Sequence, residues 1–122
     1  MQTLQTSEPA TTRPRLIIAA ALAVVVQLLV LYWPIVTVEG PVSWTDKVVH
    51  VLVFAIPTYA VGRAVGSIAG VAIVFLVHAP VSELVQHFFL PGRTGDVGDA
   101  VVDMLGVLLG VAALMVRARR DR

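Results

Sequence analysis

A chain of 122 residues that is 57% hydrophobic and 14% charged, with a mean hydropathy of +0.86, is too apolar for a soluble domain, whose charged share is about 25%. So few charges cannot cover a water-facing surface, whereas lipid accepts an apolar exterior and asks for about 20 apolar residues per helical span. The absence of cysteine excludes disulfides, thiolate chemistry and Cys-ligated zinc, and the C-terminal arginines form too short a basic run for a nucleic-acid arm.

Residues 1–15, polar and rich in Thr, Ser, Gln and Pro before Arg13 and Arg15, read as a disordered cytoplasmic tail. A first span is expected over 16–33, interrupted only by Gln27. It ends in Tyr32-Trp33-Pro34 with no small-x-small cleavage site, so it is a retained helix with interfacial aromatics and not a secretory signal. Gln27 inside it suits an inter-helix hydrogen bond. Pro34, Gly40, Pro41 and Trp44 mark a loop.

The second span, 48–62, has His50 one turn in and Pro57 at its middle. Proline cannot donate to the carbonyl four residues back, so a kink is expected, with the freed carbonyl satisfied by a neighbour. The third span, 64–89, opens with Gly66 and Gly70, a spacing that permits close helix approach. At about 39 Å it exceeds the roughly 30 Å hydrocarbon core and should tilt. Residues 90–96 make a tight connection, 97–116 the fourth span, and 117–122 a basic cytoplasmic tail.

The expected fold is therefore an all-α, membrane-embedded four-helix bundle occupying residues 16–116. Arg13, Arg15, Arg63, Arg117, Arg119, Arg120 and Arg122 fall on one side, against Lys47 and Arg93 on the other. That split places both termini in the cytoplasm, and the membrane is expected to be the plasma (inner) membrane.

This topology gathers Asp46, Lys47, His50, Glu83, Gln86, Arg93, Asp96, Asp99 and Asp103 at the extracytoplasmic side. Glu83 and Gln86 share a helix face, and Asp99, Asp103, Gly106 and Gly110 form a stripe. The two glycines are expected to be a packing face that brings this stripe to helices two and three. The five carboxylates and two cations leave a formal charge of minus three with His50 neutral. Uncompensated charge at that depth is costly, and protonated carboxyls, a protonated histidine or a bound cation would each relieve it. Ionisable residues inside a membrane are first candidates for function. Glu83, Asp103 and His50 are the candidates for acid–base chemistry, and Asp46, Lys47, Gln86, Arg93 and Asp99 for binding. Glu83 and Gln86 also read as a hydrogen-bonding pair that fixes the bundle, Lys47 and Arg93 as counter-ions of the acids or Arg93 as a clamp for an anion, and Asp99 as complement to a helix start. Asp46, His50, Glu83, Asp99 and Asp103 also make an oxygen-rich donor set with one imidazole, suited to Mg, Mn or Zn, although no His-Glu-x-x-His spacing accompanies it. None of these spacings specifies a cofactor. His78 is expected to bond between helices, and His87 to be interfacial.

Asp46-Lys47-x-x-His50-x-x-x-Phe54, Glu83-x-x-Gln86, Pro91-Gly92-Arg93 and Asp99-x-x-x-Asp103-x-x-Gly106-x-x-x-Gly110 together resemble the VanZ-like membrane family. Asp103 stands where that pattern more usually has Asn. The resemblance implies a small helical membrane protein, linked in some members to low-level glycopeptide (teicoplanin-type) resistance. It also implies a cell-wall precursor, a lipid-linked group or the glycopeptide as the ligand. A small proton- or cation-coupled translocator and a structural subunit are the competing readings, and transport would need polar residues continuing to the opposite face, where only Gln27, Thr58, Tyr59 and Ser67 are available.

Reporter fusions at Arg122 and near Gly40 should report opposite sides of the membrane, with a fusion at Gly92 agreeing with Gly40. A cytoplasmic Gly40 would remove the outward-facing site.

Overall fold

The computed structural model describes residues 12–33, 44–90 and 97–122. Four helices follow in order: α1 (Thr12–Tyr32), α2 (Thr45–Val65), α3 (Ile68–Phe89) and α4 (Val97–Arg120). All four are long and apolar enough to cross a membrane. Large side chains such as Ile18, Leu22, Ile73, Val77, Leu105 and Leu108 are exposed along them, a surface that only lipid accommodates.

The bundle is organised by α2 lying on α4. Lys47 meets Asp99 and His50 meets Asp103, Gly106 faces Val51 and Phe54, Gly110 faces Ala55 and Thr58, and Gly62 faces Leu114. The sequence offset stays near-constant along this series, so the two helices run parallel. A Cβ at Gly110 would sit 2.8 Å from the Ala55 carbonyl oxygen, and one at Gly106 would collide with the Val51 carbonyl. Only glycine lets the two backbones approach this closely. The packing face expected from the Gly106 and Gly110 spacing is present, and its partner is α2.

Helix α1 is held by amides and aromatics. Pro57 withholds the N–H that would bond the Val53 carbonyl, and the Nε2 of Gln27 donates to that oxygen at 3.1 Å. The last carbonyls of a helix have no intrahelical donor, and Gln86 Nε2 donates to one of them, Leu31 O, at 2.7 Å. Tyr32, expected as an interfacial anchor, turns inward, its hydroxyl 2.9 Å from His78 Nε2. The His78 ring also contacts Phe54 and Phe75, so it bonds between helices as expected. Phe54, Phe75, Leu31, Val71, Ala79 and Val107 form the buried apolar core.

Several boundaries differ from those read off the sequence. Helix α2 continues to Val65 and stops at Gly66, whose φ of 78° is left-handed, with Gly66 N–H donating to Gly62 O at 2.9 Å. Ser67 then caps α3, its Oγ accepting from Gly70 N–H at 3.2 Å. Gly66 therefore ends a helix, and a Cβ at Gly70 would meet only Ser67; neither serves helix packing. With 22 residues, α3 is about 33 Å long, close to the hydrocarbon thickness, and the excess length expected of a span from residue 64 disappears. Helix α1 begins at Thr12, inside the expected tail, because Pro14 falls in its first turn, where a missing N–H costs no intrahelical bond, and α4 runs through Arg117 and Arg119 to Arg120, where nothing breaks a helix.

Gly106→Ala should destabilise the protein in detergent by about 1–3 kcal/mol, the overpacking scale, because a backbone oxygen cannot move aside. Gly62→Ala should cost less than half of that, since its clash is with the flexible end of Leu114. Thermal unfolding of the two variants side by side checks the order; equal losses would place the tight contact elsewhere.

Candidate functional site

Residues 46, 50, 54 and 58 fall on one face of α2 at helical spacing, and the stripe Asp99, Asp103, Gly106, Gly110 falls on one face of α4. Parallel packing of these faces, with glycines at the lower contacts, carries His50 to Asp103 and Lys47 to Asp99. Helix α3 supplies Glu83 from the third side. The resulting cluster lies toward the starts of α2 and α4. Arg63, Arg117, Arg119 and Arg120 lie at the other ends of the same two helices.

The His50 imidazole is the hub. Its Nδ1 is 2.7 Å from Asp103 Oδ1, a hydrogen bond donated by the ring, and 3.8 Å from Glu83 Oε1. On the opposite edge, Nε2 is 3.5 Å from Asp46 Oδ1 and 3.9 Å from Asp99 Oδ2. Lys47 Nζ pairs with Asp99 Oδ1. One ring thus stands between an inner pair of carboxylates, Glu83 and Asp103, and an outer pair, Asp46 and Asp99.

Exposure is graded along the same line. The side chains of Asp46 and Lys47 are 42% and 39% exposed, His50 12%, Glu83 7% and Asp103 0%. Both Glu83 carboxylate oxygens and Asp103 Oδ2 are buried with no hydrogen-bond donor among the described residues. Buried polar oxygens are nearly always satisfied, so three together in one cluster call for a proton or an ion as partner. Counted over the described residues, Asp46, Glu83, Asp99 and Asp103 against Lys47 leave minus three with the ring neutral.

Of the residues singled out from the sequence, His50, Glu83, Asp103, Asp46, Asp99 and Lys47 are brought together. Gln86 is not part of the cluster: its amide is committed to Leu31 O, where it ties α3 to α1 instead of orienting Glu83. Arg93 and Asp96 lie outside the described residues. His87 is exposed and stacks edge-on against Phe88, in keeping with an interfacial place. Ser82, fully buried beside Glu83 and unremarked in the sequence reading, donates to Ala79 O at 2.8 Å and is thereby occupied. Its only signal was a hydroxyl in an apolar run. Two grooves of about 330 and 340 Å³ lie elsewhere, along α1, and are lined by apolar side chains apart from Gln27 and Tyr32.

A family model described as VanZ/LLP1 matches residues 2–118, nearly the whole chain, and the protein belongs to that family. It is a multi-pass membrane protein. No curated protein and no solved structure matches the chain.

His50→Ala strands Asp103 without its donor, and should lower stability in micelles by roughly 3 kcal/mol, the scale for breaking a buried ion pair from one side. Adding Asp103→Asn in that background should recover part of the loss. A double-mutant cycle measured by unfolding in micelles reads the coupling; if Asp103→Asn has the same effect with and without His50, the two residues are independent.

Proposed function

We propose that this member of the VanZ/LLP1 family is a cell-envelope factor whose acidic cluster faces the extracytoplasmic side of the plasma (inner) membrane. There it binds or modifies a glycopeptide, a peptidoglycan precursor or a related lipid-linked group, and so lowers susceptibility to glycopeptide (teicoplanin-type) antibiotics. The observation that carries the reading is the one-sided, graded cluster: part-exposed Asp46 and Lys47 at its mouth, buried Glu83 and Asp103 at its base, and His50 joining them. The basic residues at the far ends of α2 and α4 favour the cytoplasm, which supports an outward-facing cluster.

In this reading Lys47 meets the anionic part of the ligand, as would Arg93, while Glu83 or Asp103 acts as general acid or base with His50 passing the proton between inner and outer carboxylates. A translocator would need polar groups continuing to the arginine end. Among the described residues, the Thr58 hydroxyl donates to Phe54 O at 2.6 Å and Gln27 to Val53 O, so both are spent on local backbone. That arrangement weighs against transport.

Glu83→Gln keeps the shape and removes the charge, so it should abolish the glycopeptide-susceptibility phenotype while leaving membrane abundance and thermal stability unchanged or raised. Asp103→Asn should be milder. Both are read as inhibitory concentration beside protein level in the same cells. Full activity of Glu83→Gln at equal abundance would show that the charge is not used and would point to a structural subunit.

A further inference from the structure

We infer that His50, Glu83 and Asp103 form a binding site for one divalent transition-metal ion, Zn²⁺ or Mn²⁺. The inference goes beyond the proposed envelope function and gives the inner carboxylates an ion in place of the proton relay drawn there; its test reads ion binding directly, whatever the phenotype. The donor atoms of these three side chains all lie within 4.8 Å of one another. Donors that share an ion at roughly 2.0–2.2 Å from each stand at most about 4.4 Å apart; His50 Nδ1 is 3.8 Å from Glu83 Oε1, while its 2.7 Å separation from Asp103 Oδ1 is hydrogen-bond spacing that an ion held by both side chains would widen.

The second observation is the set of undonated oxygens. Glu83 Oε1, Glu83 Oε2 and Asp103 Oδ2 are buried, accept no hydrogen bond among the described residues, and belong to side chains more than nine-tenths buried. A carboxylate closed off from water needs a positive partner or a proton. Lys47 is spent on the outer pair, against Asp99. An ion at the inner position would be bound by these oxygens together with Nδ1, which gives up the proton it otherwise donates to Asp103, for three protein ligands and, with Glu83 bidentate, four donors.

The other edge of the ring fits the same assignment. A histidine that ligates a metal through one nitrogen usually turns its other N–H toward a carboxylate, which fixes the tautomer. Nε2 of His50 faces Asp46 at 3.5 Å and Asp99 at 3.9 Å, so the outer acids are positioning residues and the inner acids ligands. One imidazole with carboxylates in a closed site favours Zn²⁺ or Mn²⁺. Mg²⁺ and Ca²⁺ are held through oxygen ligands, whereas this set brings an imidazole nitrogen beside its carboxylates.

The experiment uses the full chain purified in detergent, stripped with chelator, and titrated by calorimetry with Zn²⁺ and separately with Mn²⁺. The wild type should bind one ion per chain, and Zn²⁺ absorption-edge spectra should show a nitrogen and oxygen shell with a single imidazole. Asp103→Asn and Glu83→Gln should each weaken binding at least tenfold. Asp46→Asn should weaken it less, and Asp121→Asn, at the far end of α4, not at all. Circular dichroism and elution volume establish that each variant is folded. Asp103→Asn guards against misfolding of the Glu83 variant, since asparagine keeps the shape at that position. A wild type that takes up no stoichiometric ion overturns the assignment, as does equal affinity in folded Glu83→Gln or Asp103→Asn. The first of these results would leave a proton shared between the two carboxyls as the remaining partner, and the envelope function would still stand or fall on its own susceptibility test.

Discussion

The contact of α2 with α4 is the constraint from which the polar architecture follows. Two parallel helices would ordinarily be held apart by side chains, and a separation larger by one methyl group at Gly106 or Gly110 would move Asp103 away from His50. Glycine at both positions removes that spacer, and the 2.7 Å hydrogen bond between His50 and Asp103 is the result. The apolar part of the interface thus sets the geometry of the polar part. In lipid this is an economical arrangement, because hydrophobic burial contributes little to helix association there and close van der Waals contact contributes more.

The second constraint is that every backbone carbonyl at membrane depth needs a donor. Pro57 breaks the ladder of α2, and the end of α1 leaves carbonyls open. Gln27 and Gln86 answer these two needs reciprocally: α1 sends an amide to Val53 of α2, and α3 sends one to Leu31 of α1. Helix α1 is therefore more than lateral packing. Its placement fixes Tyr32 against His78, and His78 in turn packs on Phe54, one turn from His50 along the face of α2.

Much of this was legible in the sequence because it depends on helical period and on charge. The spacing of Asp99, Asp103, Gly106 and Gly110 marks a face without any knowledge of its partner, and the hydropathy marks four spans. The freed carbonyl at Pro57 was likewise foreseeable, since proline removes one donor at a known place. What was not legible depends on how helices meet. Gln86 looked like a companion to Glu83 because it lies three residues on; only the position of α1 shows that its amide has another task. Gly66 and Gly70 resembled a packing pair by spacing, but Gly66 adopts a left-handed conformation and Ser67 accepts from Gly70 N–H, so the pair belongs to a turn. The Gly-Ser step was the signal, and it was outweighed by a spacing rule that applies equally to turns and to helix faces.

The choice of aspartate at position 103 sharpens what the cluster demands. A neutral asparagine would accept the same hydrogen bond from His50 through its carbonyl oxygen and would avoid burying a second carboxyl within 4.8 Å of Glu83. Packing and inter-helix hydrogen bonding are therefore served without the charge. Two carboxyls at this distance in a closed site repel unless a proton or a cation lies between them, and burying both lowers stability. The outer acids confirm the direction of the argument. Asp46 is half in water and Asp99 is paired with Lys47, so their charges are compensated locally. Of the three negative charges that Lys47 leaves, Asp46 faces water and the two buried ones belong to the inner pair, next to the imidazole that both can reach.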